Sequence, residues 1–190
     1  MLILKSASPR RKQILSHLGL EFQVDPSSID ETRHEGERPL EYLRRVTIAK
    51  LNSPSISDTN IYVSSDTIVV RGEKMYPKPE NPELALDILR ELNGKKHSVF
   101  SGLGIFHKGE VIFEFDETEI EFWEWTETEI QNYIRKYRPF DKAGGYGIQD
   151  EEGPVKKYTG SYSNVMGFPL RKFFLYKEIW LPFWKLSKNV

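Results

Sequence analysis

An aspartate inside an apolar, β-branched run is the first place in this chain to look for chemistry. Asp66 lies in Ser64-Ser65-Asp66-Thr67-Ile68-Val69-Val70, and strand interiors disfavour aspartate. A carboxylate there is costly to desolvate unless a charged or hydrogen-bonding group receives it. Asp66 either sits at a strand bulge and bonds its own backbone, or holds a divalent cation or accepts a proton from water. The functional reading is the expectation. A second segment, Ser6-Ala7-Ser8-Pro9-Arg10-Arg11, sets small hydroxyl residues and a proline directly before two arginines. With Ser8 as N-cap and Pro9 at the first helical position, free backbone N–H groups and the positive end of the helix dipole face an anion. Arg10 and Arg11 add permanent charge and bidentate geometry for phosphate oxygens. An ordinary capped helix with solvated arginines is the competing reading of these residues alone. Taken together, an anion-binding helix start and a strand aspartate suit phosphate chemistry.

Other candidates are weaker singly. Lys78 stands between Pro77 and Pro79, which stiffen its backbone; such a lysine contacts phosphate well, but it is also a common surface turn. Lys50, late on an expected helix, reads by itself as a solvated C-terminal lysine. Asp141-Lys142-Ala143-Gly144-Gly145-Tyr146-Gly147-Ile148-Gln149 is a loop whose glycines allow close backbone approach to a ligand. It has neither P-loop nor dinucleotide spacing, and the Gln149 amide could read a base edge. His17, His34, His97 and His107 show no metal-ligand spacing. Trp123, Trp125, Trp180 and Trp184 are expected to pack in the core or tail.

These residues need elements to hold them. Leu2 to Leu4 reads as a short buried strand, followed by a helix from Pro9 ended by Gly19, and a strand near Phe22 and Val24. Polar loops over 25–37 and 52–60 flank a helix from Pro39 with Leu43 and Val46 inward. Ile61 to Val70 is the strongest strand. A helix follows from Pro82, with Ala85, Leu86 and Leu89 on one face, then a hairpin of strands 98–106 and 111–122 turning at Lys108-Gly109. Thr126 with Glu129 forms a capping box for a helix to about Lys136. A short strand at 155–158 and one C-terminal helix from Pro169 complete the chain. Strands and helices mix without strict alternation, so the expected fold is α/β with a mixed sheet.

The 190 residues make one domain, 1–190, the default. The 27 Lys and Arg against 28 Asp and Glu leave a formal charge of −1, so no global field recruits nucleic acid or acidic membrane. The absence of cysteine removes thiol nucleophiles and disulfides and fits a reducing compartment. Lys5 interrupts the opening apolar run too soon for a signal peptide, and no apolar stretch approaches membrane-spanning length. A cytoplasmic protein is expected.

In this order, Ser6–Arg11, Asp30-Glu31, Ala49-Lys50, Ser65-Asp66-Thr67, Lys78-Pro79, the 141–149 loop and Gly160-Ser161-Tyr162-Ser163-Asn164-Val165-Met166-Gly167-Phe168-Pro169-Leu170 resemble the Maf family of nucleotide pyrophosphatases. The resemblance runs from residue 2 to about 175. It implies an elongated mixed sheet with flanking helices and two lobes around a cleft, related to inosine triphosphatases. It further implies hydrolysis of nucleoside triphosphates to monophosphate and pyrophosphate with a divalent metal, Mg²⁺ or Mn²⁺. Carried over by position, Asp66 is the proton acceptor, and Arg10, Thr67 and Gln149 tune base choice. Ser8, Arg11, Lys50 and Lys78 meet phosphate, and Glu31 with Asp66 holds the metal. The Gly160–Asn164 loop and the Gly147-Ile148-Gln149 ending look like the branch preferring dTTP and UTP rather than the 7-methyl-GTP branch. Three positions depart from the pattern: Lys5 stands where alanine is usual, Pro77 replaces a glycine and Phe168 a leucine. Pro77 bears on the reach of Lys78. The segment Trp180–Trp184 lies beyond the pattern.

The expected function is therefore metal-dependent house-cleaning hydrolysis of dTTP and UTP. The partners expected are the nucleotide and at most a second copy of the chain as a homodimer, with no nucleic acid and no membrane. The alternative is a nucleotide-sensing regulator of cell division without significant turnover. A single-stranded nucleic-acid module using the aromatics is a third reading, opposed by the near-neutral charge.

Overall fold

A computed structural model describes residues 1–51, 57 and 59–185; most of the loop expected over 52–60 lies outside them. One mixed sheet runs through the molecule in the order β2-β1-β3-β5-β6-β7, with β4 attached to β3. The strands are β1 (Leu2–Leu4), β2 (Gln23–Val24), β3 (Ile61–Arg71), β4 (Lys74–Tyr76), β5 (Lys96–His107), β6 (Glu110–Phe122) and β7 (Val155–Thr159). β1 lies parallel to β2 and β3, and the remaining pairs are antiparallel. The main helices are α1 (Pro9–His17), α2 (Pro39–Ala49), α3 (Pro82–Leu92) and α4 (Glu127–Tyr137), followed by the short α5 (Tyr162–Val165), α6 (Leu170–Phe173) and α7 (Lys177–Trp180).

Two lobes are strung along the same long strands. Leu2, Leu4, Leu15, Val63, Leu103, Phe168 and Trp180 form the core of one, and Val69, Ala85, Leu89, Leu92, Val99, Ile120 and Tyr133 that of the other. Alternation explains the division, because residues two apart share a face of a strand. On β3, apolar Val63 and Val69 bracket Ser65 and Thr67 on one face, and on β5 Leu103 and Val99 bracket Ser101. Hydroxyls thus interrupt the core in register, since Thr67 pairs with Ser101. The opposite face of β3 packs Ile68 and Val70 against Leu43 of α2.

The structure departs from expectation in several places. Asp66 is not at a bulge: β3 pairs with β5 without interruption from Tyr62 to Val70, Asp66 opposite Gly102. β4 was not foreseen, being only three residues long. Ser8 occupies the N-cap position of α1, but its side chain makes no capping bond. The C-terminal helix expected from Pro169 is broken. α6 and α7 are separated by a 3₁₀ turn over Phe174–Tyr176, and the break lets Phe173 and Trp180 stack with ring centroids 4.3 Å apart. Trp123 is not core; it is half exposed, with Lys156 Nζ 5.6 Å from its ring centroid.

Candidate active site

β3 is bonded along one edge to β5, but along its other edge only at its ends. β1 reaches Val63, and β4 joins at Val69. Residues 64–68 therefore present an open edge, and a cleft of about 340 Å³ between the lobes takes in Asp66 and Thr67 from it. That volume falls within the usual range for a small-molecule site.

Asp66 projects toward the end of α2. It is 8% exposed, and Lys50 Nζ lies 2.5 Å from its Oδ1. The same ammonium is 3.0 Å from Oε1 of Glu31, on the loop between β2 and α2. Lys50 is thus buried between two carboxylates, which corrects its reading as a solvated helix-end lysine. Among the described residues nothing bonds the second Asp66 oxygen. Ser64, two residues earlier on the same face, donates to the Thr47 carbonyl at 2.6 Å and ties the strand to the helix that carries Lys50.

The opposite face of β3 builds a polar scaffold. Arg11 donates from Nε to the Gly167 carbonyl (2.8 Å), from Nη1 to Ser6 Oγ (3.1 Å) and from Nη2 to Thr67 Oγ1 (3.2 Å). Thr67 Oγ1 also pairs with Ser101 Oγ at 2.8 Å, and Ser101 Oγ donates to the Asn164 carbonyl at 2.7 Å. Gly167 has φ +98, and a Cβ there would lie 3.2 Å from Thr67 Oγ1, so glycine suits this approach. Burial lowers the Arg11 guanidinium from its ordinary pKa, with attraction to Asp66 opposing the shift; an arginine stays charged regardless.

At the mouth, α1 begins beside Ser6, whose Oγ accepts from the Ser8 N–H at 3.2 Å. With no side-chain cap on α1, its first-turn N–H groups are left for a ligand or water. Arg10 reaches across to Asp141 Oδ2 at 2.5 Å, linking the helix to the 141–149 loop. Burial raises the Asp141 carboxyl, but bonds from Lys142 and Arg10 outweigh it and hold the pKa below its ordinary value. Lys78 lines the cleft, is exposed, and has no ion pair among the described residues. The Gly144 N–H bonds the Pro77 carbonyl at 3.1 Å, so the loop is fixed while the lysine head is free. Gln149 is also exposed at the cleft. A Cβ at Gly147, two residues before, would stand 2.6 Å from Gln149 Nε2 and displace that side chain. Tyr133 holds this turn, accepting from the Gly147 N–H at 3.0 Å and donating to Asp150 Oδ2 at 2.6 Å.

All of the sequence-predicted residues therefore line one cleft: Ser8, Arg10, Arg11, Glu31, Lys50, Asp66, Thr67, Lys78 and Gln149. Among the described residues there is no group of three or more His, Cys, Asp or Glu to cage a metal ion. Glu31 and Asp66 supply two carboxylates, which fits an Mg²⁺-type site completed by phosphate and water but not an all-protein one.

A protein-family model described as Maf-like protein matches residues 1–176. The chain belongs to the Maf family. Its relatives include a dTTP/UTP pyrophosphatase of Leptospira biflexa, 49% identical over 97% of this chain and 96% of the relative. One of the same name from Leptospira interrogans is 46% identical over 97% and 98%, and one from Bacillus cereus 34% over 90% and 91%. A solved nucleoside-triphosphatase / dITP/XTP pyrophosphatase from Mycobacterium abscessus superposes with TM-score 0.41 at 14% identity, over 64% of this chain and 73% of that one, a likeness too slight to bear on the site.

Several residues of this Maf cleft were missed by the sequence reading as individuals. Lys142 lines it with a side chain 14% exposed. Ser6, Ser65 and Ser101 form its hydroxyl scaffold, Ser65 Oγ donating to the Gly167 carbonyl at 3.0 Å. Asn164, fully buried, accepts from the Ser101 N–H and donates to the Val99 carbonyl and Thr118 Oγ1. The signal for Ser65 and Ser101 was their position, hydroxyls on the inward face of apolar strands. Asn164 falls within the Gly160–Leu170 motif, which gave it no role of its own.

Proposed function

We propose that this Maf chain hydrolyses dTTP and UTP to the nucleoside monophosphate and pyrophosphate. The observation that carries the reading is Asp66, a carboxylate in mid-strand, at the open edge of β3, held by Lys50 within a cleft rimmed by cations. Relatives named dTTP/UTP pyrophosphatase, 46% and 49% identical over nearly the whole chain, support the choice of substrate. Attack of water on the α-phosphorus forms one P–O bond and breaks the bond to the bridging oxygen, so pyrophosphate leaves with the charge that develops there. Asp66 orients the water and takes its proton through the oxygen that Lys50 does not hold. Lys50, Lys78, Arg11 and the α1 N–H groups beside Ser8 neutralise phosphate oxygens. Arg10, Thr67 and Gln149 act on base choice, Gln149 by a free amide and Thr67 by fixing Arg11.

Glu31 and Asp66 would hold Mg²⁺ or Mn²⁺ together with the substrate's own oxygens. When bound, such an ion withdraws charge from the phosphates. The lack of cysteine supports a cytoplasmic setting. A nucleotide sensor without turnover would gain nothing from an uncompensated carboxylate oxygen beside phosphates. The test is pyrophosphate release from a nucleoside triphosphate panel with Mg²⁺, Mn²⁺ or excess EDTA. Release from dTTP and UTP that stops on chelation is expected; binding without release would favour the sensor, and full activity in EDTA would remove the metal.

A further inference from the structure

Lys5 is a charged side chain buried in the cleft wall. It follows β1 directly, its N–H bonds the Val63 carbonyl at 2.7 Å, and its side chain is 1% exposed. Its Nζ is 2.7 Å from Oδ2 of Asp25, whose own side chain is 52% exposed. With almost no exposed surface and its charge already met, Lys5 has no free face to offer a phosphate.

What Lys5 does hold is the root of the loop that carries Glu31. The Asp25 N–H bonds the Leu4 carbonyl at 3.0 Å, so backbone and side chain both tie residue 25 to the end of β1. At the far end Arg45 grips Glu37 through two bonds of 2.6 and 2.9 Å and the Thr32 carbonyl at 2.9 Å. Between these ties Glu31 is 46% exposed and touches Lys50 at 3.0 Å.

We propose that Lys5 is a positioning residue that clamps the 25–37 loop through Asp25 and so sets Glu31 over Lys50 and Asp66. The proposal deepens the pyrophosphatase reading and rests on it for the consequence in substrate binding. A buried ammonium gives the clamp its stiffness: among the described residues it has one partner, and little solvent to exchange with.

The test uses Lys5→Met, which keeps the apolar stem, Asp25→Asn, the double variant and Lys5→Arg. Two readouts are taken: calorimetric binding of α,β-methylene-dTTP with Mg²⁺, and amide hydrogen exchange over 25–37. If Lys5 acts through Asp25, both single variants weaken binding by a similar factor, about five- to tenfold, and the double variant is no worse than either. Exchange over 25–37 rises in all three and stays near parental in β5 and β6, and Lys5→Arg restores part of both readouts. Weakened binding in Lys5→Met with unchanged or tighter binding in Asp25→Asn would overturn the clamp in favour of direct phosphate contact. Parental exchange over 25–37 in both single variants would also overturn it. Asp25→Asn strands the buried Lys5 ammonium; should it fail to fold, Lys5→Met and the double variant, which bury no unpaired charge, carry the test through the same two readouts. If the parent chain binds no nucleotide, the pyrophosphatase reading falls and the exchange rates alone decide the clamp.

Discussion

Asp66 and Gln149 are the two residues whose roles separate most sharply, one on the chemistry and one on the choice of base. Asp66→Asn keeps the volume and removes the charge. Turnover of dTTP is expected to fall at least about a hundredfold, as for loss of a positioned base, while Glu31 still faces Lys50 and the fold is retained. Parental turnover in a folded Asp66→Asn protein would make the aspartate structural. Gln149 has an amide free at the cleft, able to donate to a carbonyl and accept from a ring N–H, the pairing-edge pattern of thymine and uracil. A site that pairs its polar groups rejects ligands that leave them unsatisfied. The expected result is hydrolysis of dTTP and UTP ahead of 7-methyl-GTP, with Gln149→Ala narrowing that gap without abolishing release. Fastest cleavage of 7-methyl-GTP by the parent would reverse the branch assignment alone.

At the scale of elements, β5 joins the cleft to the second lobe through His97. The ring is 4% exposed, lies edge-on to Phe122 with centroids 4.7 Å apart, and its Nε2 is 2.8 Å from the hydroxyl of Tyr146, which lines the cleft. Burial pushes the His97 pKa down from 6.5 to about 4. The unfolded chain therefore binds a proton more readily than the native one. The associated stability is present above about pH 6.5 and is lost as pH falls toward 4, amounting to about 3 kcal/mol in full. Urea midpoints should decline between pH 6.5 and 5, above the range where carboxylates dominate, and His97→Gln should flatten that decline. Parallel pH profiles for the two proteins would show that His97 is not its source.

At the scale of the molecule, the lobe bearing α1 is closed by a segment outside the family match. Trp180 is fully buried, and its Nε1 donates to the Phe173 carbonyl at 2.7 Å. Beyond it, Trp184 Nε1 bonds the Leu18 carbonyl at 2.7 Å, and the Glu21 N–H bonds the Phe183 carbonyl at 2.7 Å. The tail thus seals the core beneath the helix whose start faces the cleft. Trp180→Ala should destabilise the protein by about 3–5 kcal/mol, as for truncation of a large buried aromatic, read as a lower denaturant midpoint. A cost under about 1 kcal/mol would mean that the tail only covers the surface.

The elements with strong local signals were legible in the chain itself. The β-branched run of β3, the hairpin at Lys108-Gly109, the proline starts of α1, α2 and α3 and the Thr126–Glu129 box are each decided by neighbours a few residues apart. So was the oddity of Asp66, because a charge in an apolar strand is visible without knowing its partner. Other features depended on distant residues. Lys50 by itself is an ordinary helix-end lysine, and only the packing of α2 on β3 makes it the cation between Asp66 and Glu31. The break near Tyr176, which lets Trp180 stack on Phe173, depends on packing across the tail. The open edge of β3 exists because β1 ends at Leu4, opposite Val63, and the pairing with β4 starts only at Val69, opposite Tyr76. Alternation along a strand shows which face a side chain takes, but whether a neighbouring strand covers the edge beside it is set by where the rest of the chain has gone.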